Sequence, residues 1–365
     1  MGVGSEERSR LPSPAISIVL PVLNEAGDIG RLLGELRDQE SPPGGFEVLV
    51  ADGGSTDRTR EIVQERAADW PALHLLENPD RLSSAGRNAG ARAARGRYVM
   101  FLDGHCALPR RDYVKRAVAL FESTGADCLC RPQPLDRLTE SPWARAISDA
   151  RHSRLGHNPG SDIYGGAPGF TDPRSAGAAY TRACFERLGG YDQRFDACED
   201  VEFNHRVAEA GFCAYRHPDL AVAYRPRASL RDLFRQMARY GRGRARLMAR
   251  HGKMIPWPLA GISVYVLVVL IAAVGLGLAA LMGDGSGDPA NAPGLGSLAL
   301  VALALCALPA ALWLLLIAGE SLRLGGLSAA APRIGMAFVT IYAGLVFGFW
   351  RGLPEWGRYR GSIAG

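Results

Sequence analysis

Phe46-Glu47-Val48-Leu49-Val50-Ala51-Asp52-Gly53-Gly54-Ser55-Thr56-Asp57 runs from an apolar segment straight into a carboxylate and two glycines. A short apolar run closed by a turn signal reads as a buried strand, which leaves Asp52 at the strand's end. The same arrangement recurs nearby. Ile16 to Leu23 reads as a strand entering Asn24-Glu25, Leu73 to Leu76 as a short third strand, and Tyr98 to Leu102 as a fourth ending at Asp103-Gly104-His105. Between them, Ile29, Leu32, Leu33 and Leu36 recur at helical spacing. Thr56 to Ala68 has helical character, and a small-residue helix covers about Ser84 to Arg95. Strands alternating with helices imply an α/β domain, a mostly parallel sheet flanked by helices. Ligands in such sheets bind outside the carboxyl ends of the strands, where both Asp52 and Asp103 fall.

Further along, Cys128 and Cys130 alternate on a strand. Ala176 to Thr181 is another strand, followed by a helix from about Arg182, and Val201 to Ala210 is a helix closed by Gly211. Periodicity is weak from Arg131 to Ser175, and the Gly-rich stretch Gly160 to Gly169 reads as a loop. Seven cysteines, an odd number with no Cys-x-x-Cys pair, read as reduced thiols packed in or near a core.

Beyond Trp257 the charges almost vanish. Leu259 to Met282, Ser297 to Gly319 and Ile334 to Trp350 are uncharged stretches, the third near the short limit for crossing a bilayer. Residues 1–14 are polar, with no apolar core of a signal peptide. Ten Lys or Arg residues against one acid lie between Arg225 and Lys253. Positive flanks stay inside, so the first 255 residues are expected in the cytoplasm. The loop Gly283 to Gly296 carries two Asp and no Lys or Arg, which suits the outside. The tail with Arg351, Arg358 and Arg360 is the misfit: if the third stretch crosses, these charges lie outside against the rule. The net charge of +5 comes largely from the juxtamembrane cluster and implies attraction to anionic headgroups; no nucleic-acid motif is visible. The expected organisation is a disordered tail over 1–14, a cytosolic α/β domain over 15–228, a basic juxtamembrane region over 229–256, a membrane region over 257–351 and a tail over 352–365.

Four groups of residues carry candidate chemistry. Asp52 can accept hydrogen bonds from a nucleobase or ribose, although Asp-Gly is also an ordinary turn. Asp103 and His105, two apart on a tight turn, offer an oxygen and an imidazole to one ion, a set that suits Mn²⁺ or Mg²⁺. Glu199-Asp200 precedes a helix whose N-terminus favours negative charge, so Asp200 is expected to stay ionised and able to act as a base. In Arg235-Gln236-Met237-Ala238-Arg239-Tyr240, helical geometry puts Gln236, Arg239 and Tyr240 on one face, and a guanidinium can pair with a diphosphate. Each group alone is also ordinary decoration of a turn or helix.

Together, and in this order, they resemble the inverting glycosyltransferases of the family 2 type with the GT-A fold. The resemblance covers roughly Ile16 to Arg250. Its landmarks are Ser17 to Glu25, Asp52 to Asp57, Gly86-Arg87-Asn88-Ala89-Gly90, Asp103-Gly104-His105, Glu199-Asp200 and Gln236 to Tyr240. The nearest likeness is to succinoglycan-type bacterial exopolysaccharide glucosyltransferases, which share the Asp-x-His turn and a Tyr-Gly like Tyr240-Gly241. The resemblance implies that Pro21, Asn24, Glu25, Asp52, Arg87 and Asp103 line the nucleotide and that Asp103 and His105 bind the metal. It further implies that Asp200 is the base beside Glu199, and that Gln236, Arg239 and Tyr240 approach the acceptor or diphosphate. The implied donor is a nucleoside-diphosphate sugar, UDP-glucose, and the implied acceptor a polyprenyl-linked saccharide at the inner face of a bacterial plasma membrane. Two departures stand out. Gly53 replaces the usual second acid, and His105 replaces the commoner Asp, which makes metal affinity pH-dependent because a ligating imidazole must be neutral. Transfer to polyprenyl phosphate itself and a processive synthase remain alternatives, and a non-catalytic membrane scaffold is the rival from another class.

Overall fold

The computed structural model describes residues 13–135, 141–157, 163–222, 226–252, 261–262, 264–270, 273–274 and 293–359. They divide into two compact units, one formed by residues 1–136 and 157–226 and the other by 137–156 and 227–365.

The first unit holds an eight-stranded sheet. Its strands are β1 (Ile16–Val22), β2 (Phe46–Asp52), β3 (Leu73–Glu77), β4 (Tyr98–Phe101), β5 (Cys128–Cys130), β6 (Gly169–Thr171), β7 (Gly177–Thr181) and β8 (Ala214–Arg216), in the order β3-β2-β1-β4-β7-β5-β8-β6. β1 pairs in parallel with both β2 and β4, and β2 with β3. β7 runs antiparallel to β4 and β5. The crossovers are α1 (Ile29–Arg37), α2 (Thr59–Ala67) and α3 (Ser83–Ala93). The chain winds from β1 outward to β3 and then returns to place β4 on the other side of β1. That reversal opens a crevice outside the carboxyl ends of β1 and β4, the preferred ligand site of doubly wound sheets.

The alternation within β1 shows why the sheet has two covered faces. Ile16, Ile18, Leu20 and Val22 join one core with α1 and α4 (Tyr113–Thr124). Val19 joins the other, with Phe101, Cys128, Cys130, Tyr180, Cys184, Phe185 and Phe203. Successive residues of a strand point to opposite faces, so one apolar run feeds both cores. Among the described cysteines five are buried free thiols and Cys213 is exposed, in line with the reading of reduced core cysteines.

Helix α3 lies close against the sheet because Gly86 and Gly90 face it. A Cβ on Gly90 would fall on the Val19 side chain. The remaining helices of this unit are α6 (Arg182–Arg187) and α7 (Glu199–Glu209). α7 begins two residues earlier than the apolar pattern indicates, so Glu199 and Asp200 form its first turn.

The second unit is helical: α5 (Pro142–His152), α8 (Leu230–His251), α9 (Pro293–Gly325), α10 (Ala330–Gly352) and α11 (Trp356–Tyr359). α5 falls in the stretch of weak periodicity, where Ser141 caps the first turn by accepting from Ala144 N and Pro142 opens the helix. Its Ala146, Ile147 and Ala150 pack with Leu233, Met237, Ile334, Phe338 and Ile341. The sequence drew one uninterrupted domain over 15–228, whereas the compact α/β unit leaves out 137–156. Two helices, Ala307–Gly325 and Ala330–Glu355, are long and apolar enough to cross a membrane by length and composition. The stretch expected to span first, 259–282, lies largely outside the described residues.

Candidate active site

The crevice is built first by stitching the β1 and β2 loops together. Asn24 takes a left-handed backbone conformation (φ 57°), and its Oδ1 accepts from Thr56 N at 2.8 Å while its N–H donates to the Ser55 hydroxyl at 2.9 Å. Glu25 N donates to Thr59 Oγ1 and Ala26 N to Asp57. Asp52 is 0% exposed. It accepts from Gly54 N (3.1 Å), from the Ser55 hydroxyl (2.5 Å) and from Arg60 (2.8 Å). Burial works against ionisation of Asp52, but the Ser55 and Arg60 hydrogen bonds outweigh it and hold the carboxyl below its ordinary range. This placement differs from the base-facing carboxylate read from sequence. A carboxylate at a strand end above two glycines is met first by the N–H groups of its own turn. The more exposed polar groups at this edge are Arg60 and Glu77, which pair at 2.6 Å.

The second construction is Arg87. One guanidinium nitrogen donates to Asp103 at 2.8 Å and another to Glu199 at 2.5 Å, and the group lies 5.6 Å from the Tyr191 ring centroid. Its neighbour Asn88 clamps the loop before α7, donating to Tyr191 O and accepting from Tyr191 N, both at 2.8 Å. Arg87-Asn88 thereby joins the β4 turn to Glu199 and Asp200, about a hundred residues apart in sequence. Arg87 stays firmly protonated: burial disfavours its charge, but Asp103 and Glu199 more than compensate.

Asp103 is likewise held below the ordinary carboxylate range. Burial opposes this, and the charges of Arg87, Arg131 and His105 prevail. His105 Nδ1 lies 3.2 Å from Glu25. Among the described residues no group of three or more His, Cys, Asp or Glu side chains gathers around one point. Asp103 and His105 would therefore be minority ligands of a metal whose other ligands are substrate phosphates and water. That is how hard divalent ions are commonly held in phosphate-handling sites, and in this respect the residues present fit the ion.

Asp200 departs from expectation in a useful direction. It is exposed, yet the protein packed behind it and the charge of Glu199 raise its carboxyl above the ordinary value, against the pull of Arg87 and the Val201 N–H. The favourable helix terminus is thus outweighed by the surrounding protein together with a second carboxylate in the same turn. Cys198 just before it has φ 63°, an uncommon conformation for a non-glycine residue and one concentrated at functional sites.

Arg131, at the end of β5, gave no signal in the sequence. It is 7% exposed, donates from Nη1 to Phe101 O at 2.7 Å, and has a buried Nε with no hydrogen-bond partner among the described residues. A cation in an apolar strand is the one cue that could have found it. Gln236, Arg239 and Tyr240 belong to the helical unit, where Gln236 Nε2 donates to Tyr240 Oη at 3.3 Å and Arg239 is exposed.

Comparison with known proteins agrees with this architecture. Residues 17–176 match the family described as Glycosyl transferase family 2. The succinoglycan biosynthesis protein ExoA of Rhizobium meliloti is 34% identical over 75% of this chain and 86% of its own length. The chain belongs to glycosyltransferase family 2. A glucuronosyltransferase of Methanococcus voltae, named for a dolichyl N-acetylglucosaminyl phosphate acceptor, is 25% identical over 65% of the chain and 74% of its own length. Among solved structures, a mannosyltransferase from Pyrobaculum calidifontis in complex with GDP-Man and Mn²⁺ shares the fold, with a TM-score of 0.56 and 21% identity over 93% of this chain and 88% of its own. The family 2 assignment makes this chain a glycosyltransferase with the GT-A fold.

Proposed function

We propose that this glycosyltransferase moves a sugar from a nucleoside-diphosphate donor to a lipid-linked saccharide in polysaccharide biosynthesis, inverting the anomeric centre. Asp200 takes the proton of the acceptor hydroxyl. The freed oxygen pair attacks the anomeric carbon, the bond from that carbon to the diphosphate breaks, and the diphosphate leaves with its electrons. One displacement inverts the configuration. The observation that carries this reading is Arg87 held between Asp103 and Glu199. A fixed cation of this kind would suit a departing diphosphate that gains charge, and the raised proton affinity of Asp200 suits a base. Mn²⁺ or Mg²⁺, held by Asp103 and His105, would supply further positive charge to the diphosphate.

Pro21, Asn24, Glu25 and Asp52 build the loops on which the nucleotide rests. Gln236, Arg239 and Tyr240 serve the acceptor or diphosphate. The lipid-linked acceptor is supported by the basic helix α8 and by the dolichyl-linked acceptor for which the Methanococcus relative is named. UDP-glucose is the donor to test first, on the resemblance to exopolysaccharide glucosyltransferases. The α/β unit works on the cytoplasmic side of a bacterial plasma membrane, to which the chain is anchored by more than one apolar segment.

The test is a donor screen by nucleotide release, with detergent-solubilised protein and Mn²⁺ or Mg²⁺. Turnover of one nucleotide sugar in the presence of a polyprenyl-linked acceptor is expected; release with none of them overturns the reading. Asp103→Ala should weaken metal-dependent nucleotide binding, and unchanged affinity would remove Asp103 from the metal site.

A further inference from the structure

His105 stands where the commoner motif has an aspartate, and the change alters what the turn requires. A carboxylate offers an equivalent oxygen whichever way it is turned. A neutral imidazole carries a lone pair on only one of its two nitrogens, so a ligating histidine works in one tautomer, set by the hydrogen bond made at the other nitrogen. A neighbour of His105 must therefore settle where the ring proton sits.

Glu25 occupies that position. Its Oε1 lies 3.2 Å from His105 Nδ1. Its stem crosses the turn itself: a Cβ on Gly104 would meet Glu25 Cγ at 3.1 Å. Among the described residues the Glu25 side chain makes no other hydrogen bond. The backbone holds the loop instead, Glu25 N donating to Thr59 Oγ1 and Glu25 O accepting from Asp28 N and Ile29 N. Helix α1 secures the far side of the β4 turn. Arg31 donates to Cys106 O at 3.1 Å, and Leu108 N donates to Glu35 at 2.8 Å. Ring and carboxylate are thus both carried on held backbone. The other candidate ligand has a holder of its own, since Arg87 donates to Asp103.

We propose that Glu25 is a positioning residue for His105. An ionised carboxylate only accepts hydrogen bonds, so the proton of the 3.2 Å contact belongs to Nδ1 and the lone pair of the neutral ring to Nε2. An unconstrained histidine side chain favours the opposite tautomer. A carboxylate behind a ligating imidazole fixes both tautomer and ring orientation, and Nε2 becomes the nitrogen through which His105 would hold Mn²⁺ or Mg²⁺. Glu25 then serves the metal through His105 and does not itself contact the nucleotide. The inference rests on the metal role given to His105 above.

The test uses full-length chain in detergent and two readouts. The first, without metal, is nitrogen NMR of the histidine side chains in mildly alkaline buffer, with the His105 signal identified by its loss in His105→Asp. Expected are the Nδ1–H ring in wild type and a shift toward the Nε2–H ring in Glu25→Ala. An Nε2–H ring in wild type overturns the proposal. The second is Mn²⁺ uptake followed by electron paramagnetic resonance, with UDP and separately with GDP. Glu25→Ala should weaken uptake about 10–100-fold, the usual worth of a partner behind a metal ligand. Glu25→Gln should weaken it less, because its carbonyl oxygen still accepts from Nδ1. In a His105→Asp background there is no tautomer to set, and Glu25→Ala should change little. An equal loss in both backgrounds means that Glu25 acts on metal or nucleotide directly and overturns the proposal. A wild-type chain that keeps the Nδ1–H ring yet takes up Mn²⁺ with neither nucleotide defeats the metal role of His105 itself, and the positioning role falls with it.

Discussion

The two units place most of their arginine charge differently. In the α/β unit, charged groups are drawn inward: Arg87 is 12% exposed between Asp103 and Glu199, and Arg131 is buried beneath the same turn. In the helical unit, α8 turns Arg231, Arg235 and Arg239 outward, keeps Arg246 buried against Glu355, and the interior is made of apolar side chains with glycines of α10 against the α8 backbone. The first arrangement pre-sets an electrostatic field at a reaction centre. The second presents a field to a surface. The difference teaches that arginine content alone says little about role; what matters is whether the guanidinium meets carboxylates inside or remains outside.

The comparison can be broken most sharply at Asp200. Asp200→Asn should lower transfer by roughly 10²–10⁴-fold, the usual worth of a general base, while nucleotide binding followed by calorimetry stays near wild type. Wild-type turnover would show that the inward charge cluster serves something other than proton removal. Next comes the glycine seam. Gly348→Leu forces a side chain onto the Ala238 backbone, and overpacking of this kind costs about 1–3 kcal/mol or more. Thermal unfolding in detergent should show the helical unit loosened, with nucleotide binding by the α/β unit retained. Joint loss of both would mean that the units do not act separately.

Arg131→Met tests whether the buried cation that holds the Phe101 carbonyl and acts on Asp103 from a distance matters. It leaves the Phe101 carbonyl unpaired, a cost of about 1–3 kcal/mol in stability, and removes a positive charge behind Asp103. Metal-dependent nucleotide affinity should fall along with the melting temperature, and Arg131→Lys should recover part of the affinity. A drop in melting temperature with unchanged affinity would confine Arg131 to holding β4 and β5. The smallest effect expected is in the pH profile. Glu199 helps raise the Asp200 carboxyl, so removing its charge should lower that value. The acid limb of kcat/KM in Glu199→Gln should therefore move to lower pH, since the base is then ionised further into acid. A limb that stays in place or moves upward contradicts the coupling.

Much of the α/β unit was legible because its signals are local. The apolar runs at Ile16, Phe46, Leu73 and Tyr98 became β1 to β4 with boundaries shifted by a residue or two. The short strands β6 and β8 and the helices α4 and α5 were not anticipated. Three-residue strands carry too little pattern, and α5 sits in a stretch where the cap at Ser141 is the main cue. The same contrast holds within the site. Asp103, Arg87 and Asp200 were readable as members of an ordered set of motifs. That Arg87 joins Asp103 to Glu199, and that Asp52 is consumed by its own turn, were not.

The sequence by itself determined the strand–helix alternation, the family to which the chain belongs, and the presence of long uncharged segments near its end. These depend on composition and on spacing between near neighbours. Tertiary structure decided the direction in which Asp200 is shifted, the placement of buried Arg131 against the Phe101 carbonyl, and the partners of α10. Each of these depends on groups that are distant along the chain and adjacent in space. Burial, the sum of nearby charges and the closeness of two backbones are properties of that adjacency, and no window along the sequence contains them.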